Sequence, residues 1–236
     1  MKKHMKRMTA PRTWSVPRKT SHWVSKPRPG PHGLLVSIPV GTVLRDMLKL
    51  CDNAREARFI LGGRNVLVDG RAVTDPKFPV GLMDVLTMKD IKASYRMLID
   101  YKGRLQAVPI DENESGWKLA RVDHKTTVRG GKTQVTLHDG RNLLLPKDQY
   151  KTGDVLKIEV PSQRVLKAFK LEKGNLALLT GGSHPGTVQT IEDYVVKRGS
   201  ASDVVLFKEG PSTVKENVFV VGDKAPEVKL MEAKIA

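Results

Sequence analysis

Apolar residues recur at intervals of three and four along the stretch that follows Gly41, at Val43, Leu44, Met47, Leu48 and Cys51. This spacing places them on one face of a helix. A second helix is predicted to begin after Asn53, whose side chain can accept a hydrogen bond from a free backbone N–H. It is predicted to end at Gly62-Gly63.

After the second helix the pattern changes to short apolar runs that are typical of strands. Val66–Val68 and Arg71–Val73 flank Asp69-Gly70, a dipeptide that favours a tight hairpin because both central residues can adopt positive φ. A further strand is predicted at Val85–Met88. Two helices followed by a small sheet therefore form the first structured element of the chain.

From Ile91 to Leu171, short predicted strands are separated by turn signals every eight to twelve residues, as in a compact β domain. Hairpins are expected at Lys102-Gly103 and Asp139-Gly140. Beyond Lys173 a glycine-rich loop separates two more predicted strands. The pattern as a whole predicts an α+β, multi-domain protein with segments 1–40, 41–89, 90–172 and 173–236.

The charge of the chain indicates what kind of partner it binds. A net charge of +16 and a pI near 10.0 indicate a polyanionic partner. Ten of the 41 Lys and Arg residues precede the first acidic residue, Asp46, whereas the other 31 basic residues accompany 25 acids. The positive excess is therefore concentrated at the front of the chain.

Residues 1–33 contain nine Lys or Arg, five prolines and no acidic residue. Such a segment cannot bury enough apolar surface to offset the entropy of ordering, so we expect it to be disordered when free. It is either a solvated tail or an arm that follows RNA phosphates. Trp14 and Trp23 favour the arm, because a flat ring can stack on an unpaired base or pack against a domain.

The sequence gives no sign of a membrane or secretory protein. No apolar run approaches the eighteen residues needed to cross a bilayer, and the basic N-terminus leads into proline-rich sequence rather than an apolar stretch. The single cysteine, Cys51, excludes an internal disulfide and lies on the apolar helix face. We therefore expect a cytosolic protein with no membrane partner.

The segment from Gly41 to Met88 resembles the alpha-L RNA-binding motif in residue type and spacing. The residues that carry the resemblance are Asn53, Glu56-Ala57-Arg58, Ile60-Leu61, Val66, Val68-Asp69-Gly70 and Asp84-Val85. The resemblance implies a small domain of two helices and a sheet that grips structured RNA.

Longer stretches are similar to the archaeal and eukaryotic family of small-subunit ribosomal protein four of the e-type. They are Lys3–Trp14, Lys26–His32, Asp69–Asp75, Gly81–Val85 and Tyr101–Arg104. Gly174–Val188 resembles a KOW motif, the opening of a small SH3-like β-barrel. The resemblance implies the shorter archaeal form, with a basic extended arm, an alpha-L-type domain, a central β domain and a C-terminal SH3-like barrel.

This resemblance also implies a function. The protein is expected to be a structural constituent of the small ribosomal subunit that binds small-subunit rRNA and supports assembly and translation in the cytoplasm. Neighbouring small-subunit ribosomal proteins are expected as partners, and no cofactor or small-molecule substrate is expected. Because A-form RNA hides its major groove, recognition should depend on shape, phosphate and 2′-hydroxyl groups.

Basic and aromatic side chains in three places are the candidate RNA-binding residues. Those of the arm are Lys2, Lys3, Lys6, Arg7, Arg12, Trp14, Arg18, Lys19, Trp23, Lys26 and Arg28. Those of the alpha-L-type segment are Arg45, Arg55, Arg58, Arg64 and Arg71, and those of the C-terminal segment are His184, Lys197 and Arg198. Arginine can chelate phosphate oxygens, and the alternative for each residue is a solubilising surface position.

The chain shows no recognisable catalytic chemistry. Gly130-Gly131-Lys132-Thr133 resembles the end of a P-loop, but Thr126 stands where the motif needs a glycine, so a hairpin turn is expected. The six histidines lack the spacing of a metal site, and no catalytic or metal-binding residue is predicted. Two other function classes stay open, namely an RNA-modifying enzyme of the pseudouridine synthase type and a KOW-bearing transcription factor.

Overall fold

The structure, a computed structural model, describes residues 4–199, 201–208 and 210–230. The chain divides into two compact units and passes between them more than once. The first unit contains the residues up to Leu98 together with Arg104–Lys118 and Val160–Ser162. The second contains Ile99–Gly103, Leu119–Glu159 and the residues from Gln163 onwards.

The first unit is mostly β-structure with two short helices. Its strands are β1 (Met5–Lys6), β2 (Trp23–Val24), β3 (Ser37–Pro39), β4 (Val66–Val68), β5 (Arg71–Ala72), β6 (Pro79–Gly81), β7 (Val85–Met88), β8 (Ala93–Ile99) and β9 (Leu105–Ile110). Five of them form a sheet in the order β5-β4-β7-β8-β9, and β1-β2 and β3-β6 form two small antiparallel pairs. Its helices are α1 (Val40–Thr42) and α2 (Ala54–Gly62).

The second predicted helix is confirmed together with its cap. The Asn53 side chain accepts hydrogen bonds from the backbone N–H groups of Arg55 and Glu56, at 2.9 and 3.0 Å. The Glu56 carboxylate in turn accepts from the Asn53 backbone N–H, which completes a capping box. Ala57 and Leu61 are the buried residues of this helix.

The first predicted helix is shorter than expected. α1 continues into a wider, π-type turn over Val43–Met47. Helical structure does not reach Cys51, because Lys49 adopts a φ of 53°, which breaks the right-handed path of the backbone. Val43 and Leu44 nevertheless have no exposed surface, as the apolar pattern indicates.

The Asp69-Gly70 hairpin is confirmed. The φ values of its two turn residues are 49° and 74°, and a tight turn of this type requires positive φ at both positions. Beyond it, β7 pairs in register with β8, from Val85 opposite Arg96 to Met88 opposite Ala93. The predicted boundary at residues 89 and 90 therefore falls inside a hairpin. β7 lies on one side of this boundary and β8 on the other, and main-chain hydrogen bonds join the two strands in one sheet.

The expectation that the basic arm is disordered is corrected, since its described part is packed on the first unit. Trp14 is only 2% exposed, and its indole N–H donates to the Ser37 carbonyl at 2.6 Å. Next to it, the Leu105 N–H donates to the Thr13 carbonyl at 2.7 Å. One buried indole and its hydrogen bonds thus supply the ordering energy that average composition does not reveal.

A buried cluster of charged side chains joins distant parts of this unit. Lys118 Nζ donates to Asp69 Oδ2 at 2.6 Å and to Asp84 Oδ1 at 2.9 Å. The other Asp84 oxygen accepts from His32 Nε2 at 2.8 Å and from the Gly81 N–H at 2.9 Å. A Cβ atom at Gly81 would overlap the His32 ring, so the close approach requires glycine here.

The second unit contains two five-stranded sheets. Its strands are β10 (Trp117–Val128), β11 (Lys132–Leu137), β12 (Asn142–Leu145), β13 (Val155–Glu159), β14 (Val165–Phe169), β15 (Leu176–Leu179), β16 (Val188–Val195), β17 (Val204–Phe207), β18 (Thr213–Val214) and β19 (Val218–Gly222). The first two residues of β10 belong to the first unit, and the strand belongs to the second unit from Leu119 onwards. The sheets have the orders β12-β11-β10-β13-β14 and β18-β17-β16-β15-β19. The sequence pattern predicts most of these strands and misses β14 and β18.

A core of alternating residues explains the first of these sheets. Val135 and Leu137 of β11 pack with Val122 of β10 and with Leu156 and Ile158 of β13, all nearly without exposed surface.

Among the described residues, no helix has the length and apolar character needed to span a bilayer.

Replacing Lys118 with Met should destabilise the first unit strongly, because two buried carboxylates would lose their shared cation. We expect a loss of about 3–5 kcal/mol in the free energy of unfolding. Urea titrations followed by tryptophan fluorescence measure it, since Trp14, Trp23 and Trp117 all lie in this unit.

The matched control is Arg28→Met in the same unit. Arg28 pairs at 2.7 Å with Asp75 and its side chain is 68% exposed, so its loss should cost only about 0–1 kcal/mol. Equal losses in the two variants would contradict a stabilising role for the buried cluster.

Candidate nucleic-acid interface

The part of the chain that the structure describes contains no group of His, Cys, Asp and Glu side chains that could hold a metal ion. Cys51 is buried, and burial raises the pKa of its thiol, which is the opposite of what a reactive thiolate needs. Gly130 and Gly131 form the turn between β10 and β11, and Lys132 begins a strand rather than a helix. The expected hairpin is thus confirmed, and a P-loop is excluded.

The exposed face of α2 carries the clearest group of basic side chains. Arg55 and Arg58 are exposed on the side away from the buried Ala57 and Leu61. Arg64 follows the helix, is also exposed, and adopts a φ of 57°. Within the described residues these three arginines make no ion pair, so their guanidinium groups can bind an external anion.

Phe59 stands out on the same face. Its side chain is 85% exposed, one position after Arg58 and four after Arg55. A large exposed aromatic ring on the same helix as two exposed arginines offers a stacking surface in addition to their phosphate-binding groups. The exposure of Phe59 could have been predicted from the sequence. At 3.6 residues per turn, Phe59 lies on the opposite side of the helix from the buried Ala57 and Leu61.

Arg45 differs from the three arginines of the α2 segment because it has an internal partner. Its Nη2 and Nε atoms donate to the Asp46 carboxylate at 2.7 and 3.3 Å. The hydrogen bond to Asp46 raises the pKa of Arg45, and burial opposes this only in part. Arg71 is exposed on the hairpin strand β5.

Two residues of the arm that were expected to contact RNA are used in folding. Arg7 is 4% exposed and donates to the Pro17 carbonyl and, at 3.0 Å, to Ser21 Oγ. The Trp14 ring is buried, so it packs against the domain and has no face free for a base. Neither residue has the exposed surface that an RNA contact needs, because Arg7 donates within the arm and the Trp14 ring is buried with its N–H bonded to Ser37.

Arg18 also holds the arm in place, through hydrogen bonds to the carbonyls of Met8 and Pro11 at 3.2 and 2.9 Å. Arg28 pairs with Asp75 at 2.7 Å but leaves 68% of its side chain exposed. Lys6, Arg12 and Lys19 are exposed. Lys2 and Lys3 lie outside the described residues.

Trp23 is the arm residue best placed for a base. Its ring is 56% exposed and lies beside the rings of His22 and His4, at centroid distances of 4.6 and 5.9 Å. An open pocket of about 240 Å³ adjoins it. The lining residues are His4, Met5, Trp23, Val24, Ser25, Lys26, Arg45 and Lys77.

The predicted residues of the second unit are on its surface. His184 is exposed in the loop between β15 and β16, and Lys197 and Arg198 are exposed after β16. Gly182 and Gly186 in the first loop have φ values of 91° and 76°, as its tight path requires.

Three family models match the chain. The description of the first is ribosomal family S4e, and it matches residues 91–165. The RS4NT domain matches residues 1–35, and the S4 domain matches residues 42–86. The S4 match contains α2 and the Asp69-Gly70 hairpin, on which most of the alpha-L resemblance rested, and it also contains the exposed Arg55, Arg58 and Arg64.

Similar proteins cover the chain almost completely. Small ribosomal subunit protein eS4 from Methanothermobacter thermautotrophicus is 42% identical over 99% of this chain and 98% of its own length. The protein of the same name from Methanosphaera stadtmanae is 44% identical over 98% of this chain and 96% of its own. A crystal structure of 30S ribosomal protein S4e from Thermoplasma acidophilum matches with a TM-score of 0.70 and 36% identity, over 79% of this chain and 95% of that one.

These matches decide between the function classes that the sequence left open. They run through both compact units, including the β-rich segments where a modifying enzyme would need its catalytic domain. The protein is a ribosomal protein and not an enzyme. With its S4 RNA-binding domain and its archaeal relatives, the chain belongs to the S4e family of small-subunit ribosomal proteins.

Proposed function

We propose that this protein holds small-subunit rRNA mainly with its first compact unit, and that the exposed face of α2 is the centre of the contact. The observation that carries the proposal is the split character of this helix. Ala57 and Leu61 are buried, whereas Arg55 and Arg58 point outward without an internal ion pair. A helix with this division can bind RNA without disturbing its own packing.

Arginine suits this role because its planar group can donate two parallel hydrogen bonds to phosphate oxygens. Arg64 adds a third guanidinium just beyond the helix, next to Gly62 and Gly63. A Cβ atom at Gly62 would meet nothing within 4 Å, so an RNA backbone can approach closely here. We expect recognition of phosphate positions and of RNA shape more than of base sequence.

The arm extends this contact in our proposal. Its fold is fixed by internal anchors such as Trp14, and its exposed cations Lys6, Arg12 and Lys19 are presented from a defined backbone. Arg28 keeps most of its side chain exposed despite its ion pair. A basic segment that is ordered in advance loses less entropy on binding than a disordered tail would.

We further propose that the last sheet is an SH3-like barrel of the KOW type that makes a second RNA contact. In its strand order β15 lies between β16 and β19, and a short 3-10 turn over Lys215–Asn217 leads into β19, which supports this assignment. His184, Lys197 and Arg198 are its candidate contacts. Each is exposed, so each can reach RNA without rearrangement of the sheet.

Neighbouring small-subunit proteins are the other partners that we propose. An exposed apolar turn supports this, since Leu34, Leu35 and Val36 are 39%, 70% and 55% exposed. The proposal requires no cofactor, small-molecule substrate or membrane.

Sedimentation of a tagged copy from cell extract tests the function directly. We expect the protein to travel with the small subunit at low salt and to stay with it after a high-salt wash, as an integral ribosomal protein does. Loss of comigration at modest salt, or a peak at another position, would mean that charge attracts the protein to RNA only transiently.

The double variant Arg55→Ala, Arg58→Ala should bind small-subunit rRNA more weakly, to a similar extent for different RNA sequences. The slope of log affinity against log salt concentration should become shallower by about 1.4–1.8, because each arginine neutralises one phosphate and each neutralised phosphate contributes about 0.7–0.9. Alanine keeps the helix because it has the highest helix propensity. Filter binding at several salt concentrations measures the slope.

The control for that pair is Lys170→Gln, Lys173→Gln, which removes the same net charge. These lysines already pair with Glu172 and Asp193, at 3.7 and 3.0 Å. Their loss should leave the slope almost unchanged. A slope that falls equally in both double variants would show that only total charge matters.

The triple variant Lys6→Gln, Arg12→Gln, Lys19→Gln tests the arm. We expect the salt slope to fall by roughly 2–3, because each neutralised phosphate contributes about 0.7–0.9. Substitution is a cleaner test than removal of residues 1–33, since removal would also take Trp14 and His32 out of the folded unit. An unchanged slope would show that the arm is an idle, folded surface.

A further inference from the structure

The pocket beside Trp23 has a chemical character that the family assignment does not explain. Three of the eight side chains that line it are the cations of Lys26, Arg45 and Lys77, and none is acidic. The larger pocket of the second unit differs, since Asp123 and Glu216 line it together with Arg121 and Lys215. A half-exposed indole in a pocket whose charged lining side chains are all cations is suited to a group that is both flat and anionic.

The indole is held in a fixed position. Trp23 pairs through its backbone with Lys6 in the two-stranded ladder of β1 and β2. His22 packs edge-on against its ring, at an interplanar angle of 78°, and the His4 ring is tilted by 59° to it at a centroid distance of 5.9 Å. With its backbone paired and its ring flanked, this stacking surface loses little freedom when a ligand binds.

The charge at the pocket is also fixed by the fold. Asp46 lies between Arg45, at 2.7 Å, and Arg7, whose Nη2 is at 3.6 Å. Two guanidinium groups share one carboxylate, so this group keeps a net positive charge and holds Arg45 in place. Lys77 adds a second cation whose backbone is anchored, because its carbonyl accepts from the Arg28 N–H at 2.9 Å.

We propose that this pocket receives a single unpaired base of RNA, stacked on the exposed part of the Trp23 ring, with the adjoining phosphates next to Arg45 and Lys77. The inference rests on the proposed function and gives it a base-binding subsite separate from the arginines of α2. Stacking on tryptophan tolerates any base because every base has a π-face. The pocket therefore selects an unpaired nucleotide rather than a sequence.

The test compares two dye-labelled heptamers by fluorescence anisotropy, using the full chain. One is a heptamer of uridines, and the other is an abasic heptamer with the same phosphates. The unchanged protein should bind the uridine heptamer more tightly than the abasic one. The comparison is made in a Phe59→Ala background, because Phe59 is another exposed ring that can stack on a base. In that background Trp23→Ala should abolish the preference, through a loss of roughly 5- to 100-fold in affinity for the uridine heptamer alone.

Two variants guard against misfolding as the explanation. Trp23→Phe keeps an aromatic face and should keep most of the preference. Met8→Ala truncates another exposed apolar side chain of the arm, 60% exposed and outside the pocket, and should change nothing. Circular dichroism melting curves check that all variants are folded.

An unchanged preference in Trp23→Ala, or equal binding of both heptamers by the unchanged protein, would overturn the inference. The proposed function is judged separately, by filter binding of small-subunit against large-subunit rRNA. Failure to distinguish these two RNAs would count against the proposed function, while the heptamers would still decide the pocket. A neutral ring makes no ion pair, so Trp23→Ala should also leave the salt slope for rRNA unchanged.

Discussion

A single lysine without exposed surface holds the first unit together. Lys118 lies between Asp69 and Asp84, and His32 completes the group from the other side of Asp84. Burial and the charge of Asp84 raise the pKa of Asp69, with Lys118 opposing them. For Asp84 burial acts in the same direction, but His32, Lys118 and the Gly81 N–H outweigh it and keep the pKa of this carboxyl far below its usual range. Buried charges of this kind are stable only as a complete set, because the loss of one partner leaves another uncompensated.

The RNA-binding surface that we propose depends on this group. His32 ties the end of the arm to the sheet, and Asp69 lies in the hairpin turn that follows α2. The Asp69 carboxylate also accepts from the Val85 N–H at 3.0 Å, which fixes the turn against β7. The end of the arm and the hairpin are thereby held by one set of hydrogen bonds.

Basic residues in this chain divide into two kinds that composition does not distinguish. Arg7, Arg96 and Lys118 are buried and serve the fold. Arg96 lies over the Trp117 ring at 4.3 Å and donates to two backbone carbonyls, and burial lowers its pKa to about 10. Arg55, Arg58 and Arg64 have no such internal partners among the described residues. The exposed positive charge is therefore smaller than a count of Lys and Arg suggests.

The sequence by itself determined the features that depend on neighbours along the chain. The Asn53 cap with Glu56, the end of α2 at its glycines and the Asp69-Gly70 hairpin all arise from residues within a few positions of one another. The exposure of Arg55 and Arg58 follows from the same helical period. Family membership could be inferred too, because it rests on long runs of residues and their spacing.

The tertiary structure alone decided which polar and aromatic residues are interior. His32 and Asp84 are 52 residues apart, and Lys118 is 49 residues from Asp69, so no local pattern could pair them. Trp14 and Trp23 belong to similar basic sequence, yet one is buried against Ser37 and the other remains half exposed. Burial of a side chain depends on which distant segment reaches it, whereas turn and helix propensity depend on the backbone next to it.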